Sequence, residues 1–429
     1  SYVASVNYSY GDKYYASFSF RRDGSSRLSP DTRWGNFWSL SASWRLSQEK
    51  FMQSLKSVLS DLKLRASYGV NGNLPSSYYG YQSTYTTGAF YNGKPSPWES
   101  TLGNEELTWE KNYALNLGLD IGLFSRVNVS LDWYTRTTKD LLMSKQLNSI
   151  SGFSSLLTNV GQMRNTGVEL EVRSNNIKTK DFSWTTAFNL SHNKNKILKL
   201  ADLPWFVDGR YVRKEGYPFN TIYLREYAGV DPETGSALYY DNQQDENGNY
   251  TKNKVTDPGQ ASPIPLKDIT PTISGGFMNT FNYKFIDLSF NLSYSFGGYS
   301  YDNASYILQD DGYSVISNKS TEQRRRWQKP GDITDVPRFV YGNKKGGNYN
   351  SSRAIHSTDH IRLKSLILGL NAPKAWLQKL GIGNARIYFS GTNLLTWAAY
   401  GQYDPEMSGV VGFYTPPLKT YAFGLELKF

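Results

Sequence analysis

The closing stretch Lys419-Thr420-Tyr421-Ala422-Phe423-Gly424-Leu425-Glu426-Leu427-Lys428-Phe429 decides the fold class. Tyr421, Phe423, Leu425, Leu427 and Phe429 fall on alternate positions, with Ala422, Gly424, Glu426 and Lys428 between them. Successive side chains of a strand point to opposite faces, so this period of two describes a strand that is apolar on one face and small or charged on the other. Such a strand suits a wall between lipid and a watery interior.

The same alternation recurs upstream. Leu62, Leu64, Ala66, Tyr68 and Val70 repeat it, as do Val127, Val129, Leu131 and Trp133, then Phe182, Trp184, Thr186, Phe188 and Leu190, and Ile286, Leu288, Phe290, Leu292, Tyr294 and Phe296. Eight further segments carry it: Ser1–Tyr10, Lys13–Arg22, Asn36–Leu46, Leu107–Ile121, Gly167–Arg173, Thr272–Tyr283, His360–Leu370 and Ala385–Leu394. Together they predict about thirteen strands, each near the ~10 residues that a tilted strand needs to cross a membrane.

Composition agrees. Aromatic residues make up 15% of the 429, led by 33 Tyr, while mean hydropathy is −0.55. No run of about 18 apolar residues is present, which excludes a transmembrane helix but not a barrel, whose strands average out polar. The net charge of +10 is spread along the chain, and only Arg324, Arg325 and Arg326 form a tight basic run. Without a basic helix or stripe, nucleic-acid binding is not expected. The absence of Cys fits a thiol-oxidising compartment, though weakly.

Connections alternate in length. Gly11-Asp12, Gly122–Ser125, Ser174–Lys180 and Lys284-Phe285 are short, whereas Asp23–Gly35, Gly72–Glu106, Lys139–Thr166, Asn193–Pro271, Gly297–Asp359 and Leu395–Leu418 are long. Outer-membrane barrels have short periplasmic turns and long extracellular loops. The fold expected is therefore an all-β, antiparallel transmembrane barrel in the outer membrane of a Gram-negative bacterium. Ser47–Ser60 and Asn371–Asn384 are longer than the other periplasmic connections, and Phe51, Leu55, Val58 and Leu59 predict one or two helical turns in the first. Leu224–Val230 and Ala237–Tyr240 predict a small hairpin around Asp231-Pro232-Glu233-Thr234-Gly235, outside the membrane. A soluble β-sandwich would have shorter strands and short turns at both ends.

Several stretches resemble the SusC/RagA family of TonB-dependent transporters, and the resemblance covers nearly the whole chain. Its markers include Phe20-Arg21-Arg22-Asp23-Gly24-Ser25-Ser26-Arg27, Leu107-Thr108-Trp109-Glu110-Lys111 and Asn159-Val160-Gly161. Tyr227-Ala228-Gly229-Val230-Asp231-Pro232-Glu233-Thr234-Gly235, Arg326-Trp327-Gln328-Lys329-Pro330-Gly331-Asp332, Arg362-Leu363-Lys364, Gly391-Thr392-Asn393-Leu394 and Tyr403-Asp404-Pro405-Glu406 follow in order. The resemblance implies energy-coupled import of oligosaccharides or peptides, with TonB as energy source and a SusD-like surface lipoprotein as a lid. It also implies a plug inside the barrel and a dimer of importer–lid pairs. No plug or TonB-contacting segment is found in the sequence. Barrels of this kind close at about 22 strands. Residues 1–429 are accordingly expected to be the C-terminal part, with about nine strands and the plug lying outside them.

No catalytic set emerges, and the chain is not expected to be an enzyme. His356 and His360 are spaced i,i+4 but lack a metalloprotease pattern, and His192 stands alone. Within Asp241, Asn242, Asp245, Asn247 and Asn249, the spacing Asp245-x-Asn247-Gly248-Asn249 offers oxygens to calcium, yet the closing Glu is missing and a solvated turn is the simpler reading. No cofactor is therefore expected. Tyr78, Tyr79, Tyr81, Tyr85, Phe90, Tyr91 and Trp98 crowd one loop, where flat rings suit stacking on cargo or lid. Arg324, Arg325 and Arg326 are a second contact candidate, toward lid, acidic ligand or lipopolysaccharide. Trp44, Trp133 and Trp184 read as girdle residues at the lipid interface. Tyr421, Phe423 and the terminal Phe429 resemble the signal by which such barrels are recognised for insertion. Two rivals stay open, a passive porin and, behind it, an outer-membrane enzyme.

Overall fold

The structure, a computed structural model, describes residues 1–200, 203–343, 350–377 and 381–429. Thirteen strands form one sheet in chain order: β1 (Tyr2–Tyr10), β2 (Tyr14–Gly24), β3 (Trp34–Arg45), β4 (Leu59–Asn73), β5 (Glu110–Leu123), β6 (Val127–Gln146), β7 (Ser155–Lys178), β8 (Phe182–Lys199), β9 (Ile273–Tyr283), β10 (Ile286–Phe296), β11 (His360–Asn371), β12 (Asn384–Ala398) and β13 (Thr420–Lys428). Among the described residues no helix is long and apolar enough to cross a membrane. The chain divides into two compact units. The first is Ser1–Trp205, Lys214–Phe219 and Gly275–Asp287, and the second is Phe206–Arg213, Asn220–Ser274 and Leu288–Phe429.

In the first unit the register converts the alternation of single strands into continuous rows. Tyr10, Tyr14, Trp44, Leu64, Leu119, Leu131, Leu170 and Leu190 pair in succession from β1 to β8, all on one face. The neighbouring row on the opposite face runs Ser9, Tyr15, Ser43, Arg65, Gly118, Asp132, Glu169 and Ser191. A slip of one residue in any strand would exchange the two faces, so an apolar setting on one face and a watery one on the other specify the register. On the polar face Arg65 bonds Asp120 at 2.8 Å and Asp132 at 2.9 Å. Gly118 leaves the room for this network, since a Cβ there would lie 2.6 Å from the Arg65 guanidinium carbon.

The short turns fall where expected, except that Ser174–Lys180 is corrected to a tighter turn, because β7 continues in pairing to Lys178. Gly11 and Asp12 both have positive φ, 58° and 53°, and Lys13 N–H closes on the Tyr10 carbonyl at 3.0 Å. This is a type I′ hairpin turn, whose twist matches that of the flanking strands. Leu46–Gln48 and Lys50–Leu55 form helical turns between β3 and β4 as predicted, with Phe51 and Leu55 in them, but Val58 lies beyond them and Leu59 opens β4. The reading of Lys139–Thr166 as loop is corrected. β6 and β7 extend to 20 and 24 residues and stay paired out to Gln146 and Ser155. Two register shifts between Thr138 and Leu142 break the period of two there, which hides the strand from a pattern reading.

Gly72–Glu106 is likewise more ordered than a loop. Thr84–Thr86 pairs with Trp98–Thr101 and Phe90–Tyr91 with Lys94–Pro95, making a ribbon. Beneath it Leu28, Phe37, Leu107 and Trp109 form a buried cluster, with the Trp109 indole donating to the Arg33 carbonyl at 2.9 Å. The Asn159 amide clamps both backbone groups of Thr108, accepting its N–H at 2.9 Å and donating to its carbonyl at 3.0 Å. The sequence markers around Arg27, Trp109 and Asn159 therefore belong to the architecture that holds loops on strands.

In the second unit the predicted hairpin forms between Tyr227–Val230 and Ala237–Tyr240, with Lys254–Val255 as a third strand. Leu224 is corrected out of it, into Thr221–Leu224, which pairs with Ile264–Asp268. A separate three-stranded sheet joins loop segments distant in sequence. Tyr299–Asp302 pairs antiparallel with Ile355–Ser357 and parallel with Gly409–Val411. Ile222, Leu224, Tyr301 and Ala354 are buried together around it.

Candidate functional site

The richest polar geometry lies in the second unit, where strand β11 meets the loop that follows β12. Arg362, the third residue of β11, is 2% exposed. Its Nε donates to Thr396 Oγ1 at 3.1 Å, Nη1 to Glu406 at 2.9 Å and Nη2 to Asp404 at 2.6 Å. Lys364, on the same face of the strand, bonds Glu406 at 2.6 Å. Glu406 N–H donates to Asp404 Oδ1 at 2.9 Å. This Asx turn in the Asp404-Pro405-Glu406 segment presents both carboxylates to one strand face. The two markers Arg362-Leu363-Lys364 and Tyr403-Asp404-Pro405-Glu406 are thus halves of one ion-paired cluster.

Aromatic rings complete the platform. The Tyr400 hydroxyl donates to Asp302 Oδ2 at 3.0 Å, and the His356 ring stacks on Tyr400 with centroids 3.7 Å apart and planes 2° from parallel. Tyr403 shares a hydrogen bond with Ser300, and its ring lies 5.2 Å from that of Tyr400. Burial pushes the Tyr400 hydroxyl well up, and the Asp302 charge adds to it. Burial lowers His356 against the opposing pull of Asp302. A cavity of about 590 Å³ opens among Asp302, Gln309, Arg362, Tyr400, Tyr403 and Tyr414.

A second knot in the same unit ties loop to loop. Asp311, fully buried, takes Arg353 Nη1 at 2.5 Å and Gln323 Nε2 at 2.8 Å. Burial pushes its carboxyl up, against the pull of Arg353. Trp327 lies against Gly235 and donates to the Pro232 carbonyl at 2.8 Å, which joins the markers ending in Gly235 and Asp332.

The loop aromatics expected to touch cargo or lid are mostly where exposure allows it. Tyr85, Phe90, Tyr91 and Trp98 are exposed on the ribbon and Tyr78 and Tyr79 in the turn before it, with Arg27 stacked 4.1 Å over the Tyr78 ring. Tyr81 differs, because it packs against the buried Leu28–Leu107 cluster. The arginine run is not uniformly available. Arg325 pairs with Glu322 at 2.5 Å and Asp335 at 3.4 Å, and Arg326 donates to the Gln323 carbonyl. Among the described residues, Arg324 has no ion-pair partner.

Trp44 and Trp184 sit near the turn-side ends of β3 and β8, Trp184 donating to Asn279 at 2.8 Å. Trp133 lies deeper in its strand, between Leu117 and Val168. Tyr421, Phe423 and Phe429 are exposed, the first two on β13 opposite Gly391 and Phe389. At Asp245 the carboxylate accepts the N–H groups of Asn247 and Asn249 at 2.9 and 2.8 Å, the geometry of a closed turn. Among the described residues no group of three or more His, Cys, Asp or Glu could hold a metal ion. His356 and His360 face different partners, Tyr400 for the one and the Thr358 carbonyl, with Glu406 at 3.8 Å, for the other. His192 pairs across from Val168 on β7.

Residues 1–251 match the family described as TonB dependent receptor-like, beta-barrel. The chain is 33% identical to TonB-dependent receptor P3 of Formosa agariphila over 99% of its length, and 31% identical to TonB-dependent receptor SusC of Bacteroides thetaiotaomicron over 100%. These alignments take in 45% and 43% of the two relatives, so the chain spans less than half of either. The solved structure of the RagAB peptide transporter superposes on all of this chain and 47% of its own, with a TM-score of 0.90 at 31% identity. The rows of apolar and polar residues, the loop markers and these likenesses agree: the chain belongs to the TonB-dependent receptor β-barrel family of the outer membrane, in its SusC/RagA branch.

Proposed function

We propose that this chain supplies thirteen strands and their outer loops to an energy-coupled importer in the outer membrane of a Gram-negative bacterium. The cargo is an oligosaccharide or a peptide, a SusD-like lipoprotein covers the loops, and TonB supplies the energy. The same reading takes in a plug within the complete barrel and pairing of two importer–lid units, and it includes no catalytic step and no cofactor. The observation that carries it is the likeness to the RagAB peptide transporter across the entire chain, loops included, at a TM-score of 0.90.

The test is uptake by cells carrying the complete polypeptide, using fluorescent peptide mixtures and fluorescent oligosaccharides, with and without TonB. Loss of uptake by tenfold or more without TonB is expected for one cargo class. Uptake that ignores TonB, together with a steady open conductance in a planar bilayer, would instead establish a porin.

A further inference from the structure

The charges around the cavity of about 590 Å³ do not cancel, and the residue left over points to a ligand. Arg362 has each of its three nitrogens engaged, and with Lys364 it faces two carboxylates, Asp404 and Glu406. Two cations and two anions balance there. Asp302 stands outside that set. It is 3% exposed, lines the cavity, and accepts only neutral donors, the Ser305 N–H at 2.8 Å and the Tyr400 hydroxyl at 3.0 Å. Among the described residues no Lys or Arg forms an ion pair with it: Arg362 and Lys364 are given to Asp404 and Glu406, and Arg210, stacked over the Tyr301 ring, donates to Asn303 Oδ1 at 3.3 Å instead. A buried carboxylate without a countercharge is unfavourable, and a cation bound beside it relieves part of that cost.

The surrounding groups select the kind of cation. Tyr400 and Tyr403 line the same cavity, with ring planes 57° apart. Aromatic faces attract ammonium groups. His356 stacked on Tyr400 fixes that ring's plane. The volume is that of a pocket for an organic molecule, not of a single ion. Arg362, the lining cation, is already matched by two carboxylates and does not call for an acidic ligand.

We infer that this cavity binds a primary ammonium group carried by cargo, placed on the Asp302 carboxylate and against the rings of Tyr400 and Tyr403. The amine belongs to a peptide N-terminus, a lysine side chain or an amino sugar, and the inference rests on the importer reading for its origin. Binding is by charge and desolvation alone, with no bond made or broken.

The complete protein, immobilised in detergent, is incubated with a random hexapeptide pool and with the same pool acetylated on every amine, and the retained peptides are counted by mass spectrometry. Free-amine peptides are expected at tenfold or higher enrichment over acetylated ones. Asp302→Asn, which keeps an oxygen for the Ser305 N–H, is expected to erase that preference. Competition by a glucosamine hexamer would assign the amine to sugar, and its failure to compete would assign it to peptide. Equal retention of both pools by the unaltered protein would overturn the inference without need of a variant. So would displacement of the peptides by neutral maltohexaose, or a preference that survives in Asp302→Asn. TonB-dependent uptake is read separately, so loss of the amine preference leaves the importer reading standing.

Discussion

Two aromatic-rich regions of this chain use the same residue types in opposite ways. On the ribbon of the first unit Tyr91 is 79% exposed, and Tyr85, Phe90 and Trp98 are exposed with it, as are Tyr78 and Tyr79 just before it. On the loop platform of the second unit Tyr301 is 1% exposed, its hydroxyl bonded to Asn350 at 2.7 Å, and Tyr400 and Tyr403 are held by Asp302 and Ser300. The difference lies in the anchors. The platform surrounds its rings with buried carboxylates and arginines that cross-link segments, whereas the ribbon is held by short ladders and leaves its rings in solvent. Buried polar networks fix one arrangement and punish the loss of any member, while exposed rings can be exchanged with little effect.

The largest effect is therefore expected on the platform. Arg362→Met removes the cation between Asp404 and Glu406. Breaking a buried pair from one side costs about 3–5 kcal/mol. Hydrogen exchange across residues 400–411 should rise sharply, with strands β1–β5 unaffected. Unchanged exchange there would show that the pair is not what holds the loop. Gly235→Ala comes next. Gly235 has φ of +69°, and a Cβ would overlap the Trp327 ring. The strained backbone and displaced indole together cost about 1–3 kcal/mol. Limited proteolysis in residues 326–340 should accelerate, and resistance equal to the parent protein would refute the packing argument.

The contrast also marks what can be seen in the sequence. All thirteen strands are legible, because alternation between lipid and lumen is written residue by residue, as in Leu62–Val70 and Tyr421–Phe429. The outer half of β6 and β7 is not, since the register shifts near Asp140, whose φ is +56°, scramble the period. The markers Arg362-Leu363-Lys364 and Asp404-Pro405-Glu406 are visible as words, but their pairing is not. Arg362 and Asp404 are 42 residues apart, and no local spacing announces a contact of that range. The crowding of rings in Gly72–Glu106 is legible in the sequence, but the ladders that order them are not, and Tyr81 turns inward because Leu28 and Leu107 offer it a core. Asp302 gives no local signal, as its meaning depends on which cations, far along the chain, are already taken.

Acidity should separate the two regions more gently. His356, on the platform, has its pKa lowered below the ordinary 6.5 by burial, with Asp302 opposing and Tyr400 stacked upon it. The unfolded state therefore binds the proton more readily, and the stability tied to neutral His356 is present above pH 6.5 and declines as pH falls below it. The ribbon, residues 72–106, contains no His. Between pH 7.5 and 5.5, protection against exchange, corrected for the intrinsic chemical rate, should fall at residues 355–357 and 400–403 while that of residues 84–101 stays constant. A parallel change in both regions would deny His356 this role.

The smallest effect is expected from Tyr91→Ala at the tip of the ribbon. Its ring has no aromatic or hydrogen-bond partner among the described residues, and it sits on the short ladder to Lys94. Thermal stability should move by about 0.5 kcal/mol or less, as for surface substitutions that touch no special feature. A larger loss would mean that the ribbon is braced through its aromatics as the platform is, and the comparison would fail. If stability holds while TonB-dependent uptake falls, the ring is retained for contact with cargo or lid. It is the crowding of Tyr91 with Tyr78, Tyr79, Tyr85, Phe90 and Trp98, all exposed, and not any single ring, that calls for an external partner.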